Sequence, residues 1–313
     1  MTRPPDTEHE RATAFQEHRA LLFSIAYRML GTVTEAEDAV QETYLRYSTA
    51  KVEEVRSPRA FLATVVTRIC LDQLKSARAR RETYVGPWLP EPLVSGANGG
   101  TRTPVDVVED HESISMAFLV LLETLTPVER AVFLLHEVFD YGYDEVAGIV
   151  GRSEAACRQI LHRAKGHVVA RRPRFESTDE ERERLVRSFL AAVEVGDVNG
   201  LMGLLAEDAT LWSDGGGKRG AALKPIHGPD RIVRLFQGLL GDQRTPGTFE
   251  FALAEVNGRA GAILFLDGEI FAASCIEADR GKIQQVWVVV NPDKLARIEQ
   301  TGRWLERTPI KRD

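Results

Sequence analysis

The most distinctive chemical feature of the sequence is a short basic segment. Between Gly151 and Arg174 the chain has seven lysines and arginines and one acidic residue, Glu154, although its formal net charge is -6. Cationic side chains gathered on one helix are typical of a surface that contacts nucleic-acid phosphates. The alternative is a solvated helix face, where most runs of charge lie.

The elements around this segment predict a helix-turn-helix. YDEVAGIV (143–150) reads as a short helix, Gly151 as a tight turn, and Ser153 as the cap of the next helix. On that helix the apolar face is predicted to hold Cys157, Ile160, Leu161, Ala164 and Val168, and the opposite face Arg158, Gln159, His162 and Arg163. The second helix of such a motif enters the major groove. We therefore expect Arg158 and Gln159 to read bases, and Arg163, Lys165 and Arg171 to hold phosphates.

The N-terminal part, to about Leu74, is predicted to be helical. Thr34 and Glu37 have the spacing of a capping box. The apolar positions that follow at helical spacing are Ala36, Val40, Tyr44 and Tyr47, and the polar positions turned away from them are Asp38, Gln41, Glu42 and Arg46. Ser57 is the expected cap of the next helix, with Pro58 in its first turn and the basic KSARARR (75–81) at its far end.

A linker and two further folded parts follow. YVGPWLPEPLVSGANGGTRTP (84–104) has no helical period, yet Trp88, Leu89 and Leu93 indicate that it docks on another surface. Thr126 and Glu129 form a capping box around Pro127 in the part that ends near 172. From Thr178 the pattern is two helices, a glycine-rich loop, the helix PDRIVRLFQGLL (229–240) and strands. Turns are predicted at Asn257–Gly258, Asp267–Gly268 and Arg280–Gly281, and a strand at Val286–Val290. This is the pattern of an α+β domain.

Composition limits the classes of protein. At 313 residues the chain should form two or three domains, and 43% hydrophobic with 27% charged residues is ordinary for a globular protein. No apolar run approaches the ~18 residues of a membrane span, and the N-terminus has no signal-peptide core. A cytoplasmic protein without membrane contact is therefore expected. Cys70, Cys157 and Cys275 lie among apolar residues and should pack in the core.

Three segments in this order resemble a known family. They are EAEDAVQETYLRYS (35–48), SPRAFLATVVTRICLDQLKSARARR (57–81) and YDEVAGIVGRSEAACRQILHRAK (143–165). They are similar to regions 2 and 4 of bacterial extracytoplasmic-function (ECF) sigma factors of the sigma-70 family. The third part resembles the SnoaL-like cone fold, and WLPEP (88–92), DGGGK (214–218) and NPDKL (291–295) resemble signatures of the ECF subfamily with such an extension.

The resemblance implies a multidomain fold class, with two all-α sigma domains followed by an α+β SnoaL-like domain. The implied boundaries are region 2 at 10–83, linker at 84–105, region 4 at 106–174, SnoaL-like regulatory domain at 178–300 and tail at 301–313. It also implies the partners, core RNA polymerase and promoter DNA, with contacts to the β′ clamp helices and the β flap. The free protein is expected to be a monomer.

Site residues follow from the matched motifs. Asp38, Gln41 and Glu42 match the acidic region that docks on the β′ clamp helices. The loop near Ser48 to Ser57 should read the minus-ten element, but it lacks an aromatic base-stacker. Contacts to the promoter strand backbone are expected from Arg59, Arg68, Lys75, Arg78 and Arg80, and His162 joins Arg158, Gln159, Arg163 and Lys165 on the region 4 surface.

The three signatures are expected to make interdomain regulatory contacts. Their residues are Trp88, Leu89, Pro90, Glu91 and Pro92 in the linker, Asp214, Gly215, Gly216 and Gly217 in the loop, and Asn291, Pro292, Asp293, Lys294 and Leu295 near the C-terminus. DGGGK lacks the GxxxxGK[ST] phosphate-binding pattern, so a glycine-enabled turn against the linker is the favoured reading. Docking there would fix the spacing of regions 2 and 4.

Some SnoaL-like proteins are cyclases that use pocket carboxylates for acid–base work. Trp212, Asp214, His227 and Trp287 are candidates to line a cone here, but their spacing fixes no mechanism, so we expect no catalytic residue, metal or cofactor; a small ligand of unknown identity is a candidate for the cone. Three functions stay open. They are a sigma factor modulated in cis by its fused domain, a helix-turn-helix regulator acting without polymerase, and an enzyme with a DNA-binding front end. The acidic helix at 35–47 argues against the second.

Overall fold

The chain folds into two compact units. The computed structural model describes residues 8–51, 55, 57–95, 114–171, 177–241, 247–298 and 307–310. Of these, residues 8–83 and 118–171 belong to the first unit, and residues 84–95, 114–117 and 177–310 belong to the second. The linker residues after Thr83 are therefore part of the second unit.

The first unit is helical. Its helices are α1 (Glu8–Leu30), α2 (Val33–Thr49), α3 (Pro58–Glu82), the later part of α4 (Met116–Leu122), α5 (Pro127–Phe133), α6 (Tyr143–Val150) and α7 (Glu154–Arg171). A π-helical turn, Leu134–Val138, follows α5. Helix α3 packs against α1 and α2 and also against α5 and α6, so the predicted regions 2 and 4 share one core.

The predicted start of α2 is wrong by two residues. Its N-cap is Thr32, whose hydroxyl accepts a hydrogen bond from the Glu35 backbone N–H at 3.3 Å. The T-x-x-E pattern occurs twice here, at 32–35 and at 34–37. Glu37 instead pairs with Arg19 of α1 at 2.5 Å, and Val33 is buried. The tertiary contacts therefore select the earlier cap.

The other predicted helix ends are confirmed. The Ser57 hydroxyl accepts from the Ala60 N–H at 3.4 Å, and Thr126 and Glu129 form the reciprocal capping box. Gly151 adopts φ 66, the left-handed conformation that glycine favours, at the end of α6. The Ser153 hydroxyl then accepts from the Ala156 N–H at 3.2 Å. All three cysteines are buried, as expected.

The second unit is an α+β domain. Its strands are β1 (Val94–Ser95), β2 (Leu205–Asp214), β3 (Ile226–His227), β4 (Phe249–Val256), β5 (Arg259–Leu266), β6 (Glu269–Asp279), β7 (Lys282–Val289) and β8 (Thr308–Pro309). Its helices are α8 (Asp179–Glu194), α9 (Val198–Leu204), α10 (Pro229–Gly241) and the short α11 (Pro292–Leu295). The sheet order is β1-β4-β5-β6-β7-β2-β3, with β8 also on β4. Apolar residues of α8 and α10 pack with those of the sheet into one core.

Local chemistry accounts for the three hairpin turns. The predicted pairs at 257–258, 267–268 and 280–281 each have two residues with positive φ between 50 and 87. Two such residues are the requirement of a tight turn between antiparallel strands, and glycine stands second each time. The three predicted turns are confirmed.

The sheet is mixed. Strands β2 and β7 pair parallel, and β6 and β7 pair antiparallel.

Segments outside the predicted domain complete the sheet edge. Strand β1 comes from the predicted linker and pairs with β4, with Val94 opposite Val256. Strand β8 comes from the predicted tail and places Thr308 opposite Phe251. Ile310 is 5% exposed and joins the apolar core. Residues 307–310 are therefore part of the domain, because an open strand edge and an apolar side chain both find partners there.

Candidate functional site

The acidic face of α2 is exposed on the first unit. Asp38 and Gln41 are exposed and Glu42 is half-buried, with its carboxylate 2.8 Å from Arg46. Positions 38, 41, 42 and 45 follow the spacing of one helix face. Leu45 completes that face and is 54% exposed. Leu45 was not among the predicted site residues, although its helical spacing already places an apolar side chain beside Gln41 and Glu42.

The basic face of α7 is also exposed. Cys157, Ile160, Leu161, Ala164 and Val168 are buried, and Arg158, Gln159, His162, Arg163 and Lys165 are exposed. Arg158 pairs with Glu154 at 3.0 Å and lies 4.7 Å from the Tyr143 ring centroid. Lys165 pairs with Glu137 at 2.7 Å. The side chain of Arg171 lies outside the described residues.

The arginines of α3 have partners within the first unit. Arg68 donates to the backbone carbonyls of Gly148 at 2.9 Å and Ile149 at 3.1 Å. These carbonyls lie in the last turn of α6, where a cation is favourable. Arg59 lies 5.3 Å from the Tyr141 ring centroid. In this conformation both cations contact the helix-turn-helix part of the unit.

The structure describes the other predicted DNA-contact residues of this unit only in part. Lys75 pairs with Asp72 on the helix surface at 2.7 Å. The side chains of Arg78 and Arg80, and residues 52–54 and 56 of the predicted minus-ten loop, lie outside the described residues.

Arg130 joins α5 to α1, and no sequence signal marked it. Its guanidinium is 3% exposed and donates to the Met29 carbonyl at 2.6 Å and to Glu123 at 2.7 Å. Burial lowers the pKa of Arg130 to about 9. A cation taken so far from water needs such partners, so Arg130 fixes the packing of α5 on α1.

The linker is held in the second unit by the fully buried carboxylate of Asp214, at the end of β2. Its Oδ1 accepts from the Tyr84 hydroxyl at 2.6 Å and the Gly216 N–H at 3.0 Å. Its Oδ2 accepts from the Leu89 N–H at 2.9 Å and Lys294 Nζ at 2.7 Å. We call Tyr84, Leu89, Asp214, Asn291 and Lys294 the Asp214 cluster. It contains at least one residue from each of the three predicted signatures.

Lys294 is the cation of this cluster. Its side chain is 8% exposed, and Nζ also donates to the Leu89 carbonyl. The ammonium lies 4.2 Å from the Trp88 ring centroid, a cation–π contact. Asn291 donates to the Tyr84 hydroxyl at 2.9 Å. Burial, and then the hydrogen bond to Asp214, raise the pKa of Tyr84 above its ordinary value.

The glycines of the DGGGK loop allow this approach. A Cβ on Gly216 would lie 2.3 Å from the Asn291 side chain and 3.1 Å from the Tyr84 hydroxyl. A Cβ on Gly217 would lie 3.3 Å from Val85, and one on Gly215 would lie 2.3 Å from the Arg219 carbonyl. Glycine is therefore required where the loop meets the linker.

The other signature residues surround the cluster. Pro90, Glu91, Pro92 and Leu295 are buried, and Pro292 occupies the first turn of α11. Asp293 is exposed and pairs with Lys218 at 2.5 Å.

Asn257 makes a second attachment, which sequence reasoning recognised only as a turn. Its side chain is fully buried, accepts from the Leu93 N–H at 3.1 Å and donates to the Ile114 carbonyl at 3.0 Å. Its own N–H donates to the Leu93 carbonyl at 2.7 Å. One residue thus holds both ends of the segment whose middle, 96–113, lies outside the described residues.

Comparisons with known proteins agree with this geometry. Residues 14–80 match the family model for Sigma-70 region 2, and residues 115–168 match that for Sigma-70 region 4. The ECF RNA polymerase sigma factor SigJ of Mycobacterium tuberculosis is 39% identical over 92% of this chain and 96% of that protein. The chain belongs to the ECF sigma factor family. The resemblance found in the sequence is confirmed.

Two further comparisons support the same family. The probable ECF RNA polymerase sigma factor SigI of Mycobacterium tuberculosis is 30% identical over 91% of this chain and 94% of that protein. The crystal structure of SigJ matches with a TM-score of 0.74 and 36% identity, over 91% of this chain and 98% of that chain. This ECF sigma factor therefore carries two helical sigma regions followed by a C-terminal α+β domain, which confirms the predicted multidomain fold class.

The prediction about the cone of this ECF sigma factor is wrong. Its described cavity is lined by Val286 and Val288 of β7, so Trp287 lies on the opposite face of the strand. Trp287 stacks on Trp212 with ring centroids 4.2 Å apart. Asp214 belongs to the linker contacts, and the exposed His227 contacts Thr210 at 3.1 Å. None of the four lines the cavity. The prediction failed because the sequence does not show which face of each strand turns toward the cavity.

Among the described residues, no helix has both the length and the apolar character needed to cross a membrane.

Proposed function

We propose that the protein is an alternative sigma factor that binds core RNA polymerase in the cytoplasm and directs initiation at a specific class of promoters. The observation that carries the proposal is the pair of exposed faces on the first unit, acidic on α2 and basic on α7. An acidic stripe suits a protein partner with a basic surface, and a basic recognition helix suits DNA. The partners would be the β′ clamp helices for α2 and the β flap for region 4.

Leu45 gives the acidic stripe an apolar contact. Charged pairs at an interface set orientation and association rate, whereas a desolvated apolar side chain contributes stability. Leu45 lies one turn beyond Gln41 and Glu42 and two turns beyond Asp38 on the same face, and it is 54% exposed. We therefore include Leu45 among the polymerase contacts.

Charge reversal on α2 tests the proposal. The variant Asp38→Lys/Glu42→Lys should lose retention on core polymerase, since two favourable charges become repulsive. Glu42 pairs only with exposed Arg46 in the described structure, and such pairs contribute about 0–1 kcal/mol. The free variant should therefore melt almost as the parent does.

The matched control for this pull-down is Glu207→Lys/Asp208→Lys. It makes the same change of charge at exposed positions of β2 in the other unit. Retention of both variants at the parental level would exclude α2 as the docking surface.

Promoter binding would compete with contacts inside the first unit. Arg68 and Arg59 are proposed to contact the promoter strand, yet they bind the α6 carbonyls and Tyr141. We infer that α3 and α6 separate when DNA binds, because Nε and one terminal nitrogen of Arg68 are occupied by the α6 carbonyls and must leave them to form a two-point contact with a phosphate. Arg158 and Gln159 would then read the minus-thirty-five element, with His162, Arg163 and Lys165 beside them.

The C-terminal domain would act in cis as a regulator and not as an enzyme. Its carboxylate Asp214 already accepts four hydrogen bonds, two of them from the linker, and the residues that line its described cavity include no carboxylate, histidine, lysine or tyrosine for proton transfer. Holding the linker restricts the positions that regions 2 and 4 can take. A fused domain does this at high effective concentration, so modest contacts suffice in a monomer.

A further inference from the structure

Tyr143, the first residue of α6, contacts the recognition helix α7. Its side chain is half-buried, and the guanidinium carbon of Arg158 lies 4.7 Å from the centroid of its ring. The Glu154 carboxylate, one turn earlier on α7, lies 3.0 Å from a terminal nitrogen of the same guanidinium. A ring and a carboxylate therefore restrict the position of Arg158, although the side chain of this arginine is 56% exposed.

We propose that Tyr143 is a positioning residue for base reading by region 4, because its ring holds the Arg158 guanidinium in the orientation that meets DNA. This inference rests on the base-reading role proposed for Arg158. An arginine side chain has many rotamers, and one that is restricted before binding loses less freedom when the complex forms. Tyr143 therefore contributes to affinity and specificity without touching a base.

The two partners of Arg158 act differently when DNA binds. A cation–π contact is made with the face of a ring and requires no hydrogen bond, so the N–H donors of the guanidinium stay available for a base edge. Glu154 instead accepts from one of these donors. Both side chains of that ion pair are about half exposed, so the pair is weak. A base edge can therefore replace Glu154 while Tyr143 keeps the guanidinium in place.

The Tyr143 ring is itself fixed by its neighbours. His136 of the π-helical turn packs on it, with ring centroids 4.2 Å apart. His136 Nδ1 lies 2.8 Å from the Tyr141 carbonyl, and because a carbonyl only accepts, Nδ1 carries the proton of this bond. At the start of α6 the Glu145 carboxylate accepts from the Gly142 N–H at 3.0 Å. The ring therefore belongs to a well-fixed part of the helix-turn-helix.

A purely structural role for Tyr143 leads to a different expectation. If the ring only stabilised the packing of α6, its removal would weaken DNA binding whether or not Arg158 is present. If the ring acts through Arg158, its removal has no effect once the arginine is absent. A double-mutant cycle separates the two roles.

The test uses holoenzyme assembled from core polymerase and the full-length protein. A binding selection from a randomised promoter library is followed by affinity measurements on the selected duplex. Tyr143→Leu and Tyr143→Gln replace the ring with an apolar and a polar chain, and Tyr143→Phe keeps the ring. The control is Phe139→Leu, which removes a half-buried ring 5.4 Å from the guanidinium of Arg28, a residue of α1. Circular dichroism and retention on core polymerase establish that each variant is folded.

The expected effect lies at the promoter position whose preference depends on Arg158. Tyr143→Leu and Tyr143→Gln should each lower the preference for the selected base there by about two- to fivefold, which corresponds to one exposed cation–π contact. Tyr143→Phe and Phe139→Leu should match the parent. Tyr143→Leu/Arg158→Ala should bind the selected duplex as Arg158→Ala does.

Several outcomes contradict the inference. Parental preference in the folded ring-removal variants overturns it, and so does a loss in Tyr143→Phe equal to that in Tyr143→Leu. A further loss when Tyr143→Leu is added to Arg158→Ala gives the ring a structural role and also overturns it. If Arg158→Ala leaves the preference at every position unaltered, the proposed base reading fails and this inference fails with it. If Arg158→Ala alters the preference and Tyr143→Leu does not, only this inference fails.

Discussion

At the scale of single residues, Asp214 is the group on which the linker contacts converge. It is a fully buried carboxylate whose cation, Lys294, is 8% exposed, and it is bonded to a hydroxyl and two backbone N–H groups as well. Removing both charges of a buried pair is often tolerated, whereas removing one leaves the other without compensation. The single variant should therefore be more damaging than the double variant.

We predict that Asp214→Asn lowers the free energy of unfolding of the second unit by about 3–5 kcal/mol. Urea denaturation followed by tryptophan fluorescence measures this, since Trp88 lies over Lys294. Asp293→Asn is the control, because the exposed Asp293–Lys218 pair should contribute less than about 1 kcal/mol. Asp214→Asn/Lys294→Met should recover part of the loss, because it removes the unpaired ammonium and keeps an amide oxygen that can accept from Tyr84 and Gly216. Equal effects of the two asparagine variants would contradict a central role for Asp214.

At the scale of elements, α7 shows how local caps place a recognition surface. Gly151 ends α6 and Ser153 begins α7, so the turn between them fixes which face of α7 is buried. Arg158 and Lys165 then lie on the exposed face, each paired with a single carboxylate. Exposed pairs of this kind are weak, so DNA phosphates and bases can replace them.

We predict that Arg158→Ala relaxes promoter preference at one position and weakens binding by about 1–3 kcal/mol, because a base contact is lost. Lys165→Ala should instead weaken binding to all sequences alike and reduce the salt dependence. A binding selection from a randomised promoter library, repeated at several salt concentrations, measures both effects. Unaltered sequence preference in Arg158→Ala would place α7 in a different register on DNA.

At the scale of the whole molecule, the linker between regions 2 and 4 is built into the C-terminal domain. Its apolar residues Leu89 and Leu93 are 1% and 4% exposed. Strand β1 adds the linker to the sheet, and Asn257 holds Leu93 and Ile114. Loss of the domain would therefore expose apolar linker residues and release the constraint on the two sigma regions.

We predict that ending the chain after residue 174 changes initiation in vitro at a promoter selected with the full-length protein. Full-length Trp88→Ala and Asp214→Asn should change initiation in the same direction as the truncation, since both loosen the Asp214 cluster. The two full-length variants are included because the truncated chain exposes Leu89 and Leu93 and can lose activity through aggregation. Parental initiation by all three proteins would show that the domain is not a regulator in cis.

The sequence by itself determined features that depend on a few neighbouring residues. The caps at Ser57, Thr126 and Ser153 and the three positive-φ turns follow from side-chain chemistry and backbone sterics within four positions. The buried face of α7 follows from helical periodicity. The matching signatures also predicted that the linker, the DGGGK loop and the NPDKL segment meet.

Only the tertiary structure decided which atoms bind across long separations. Asp214 meets Lys294 and Leu89 across 80 and 125 positions, and Arg68 meets Ile149 across 81. Glu37 pairs with Arg19 of α1, whereas the cap of α2 is formed two residues earlier than predicted, by Thr32. The strand phase placed Val288, and not Trp287, at the cavity. The physical reason is that local sterics fix the conformation of each segment, whereas buried polar groups take whichever partners the packed segments bring within hydrogen-bonding distance.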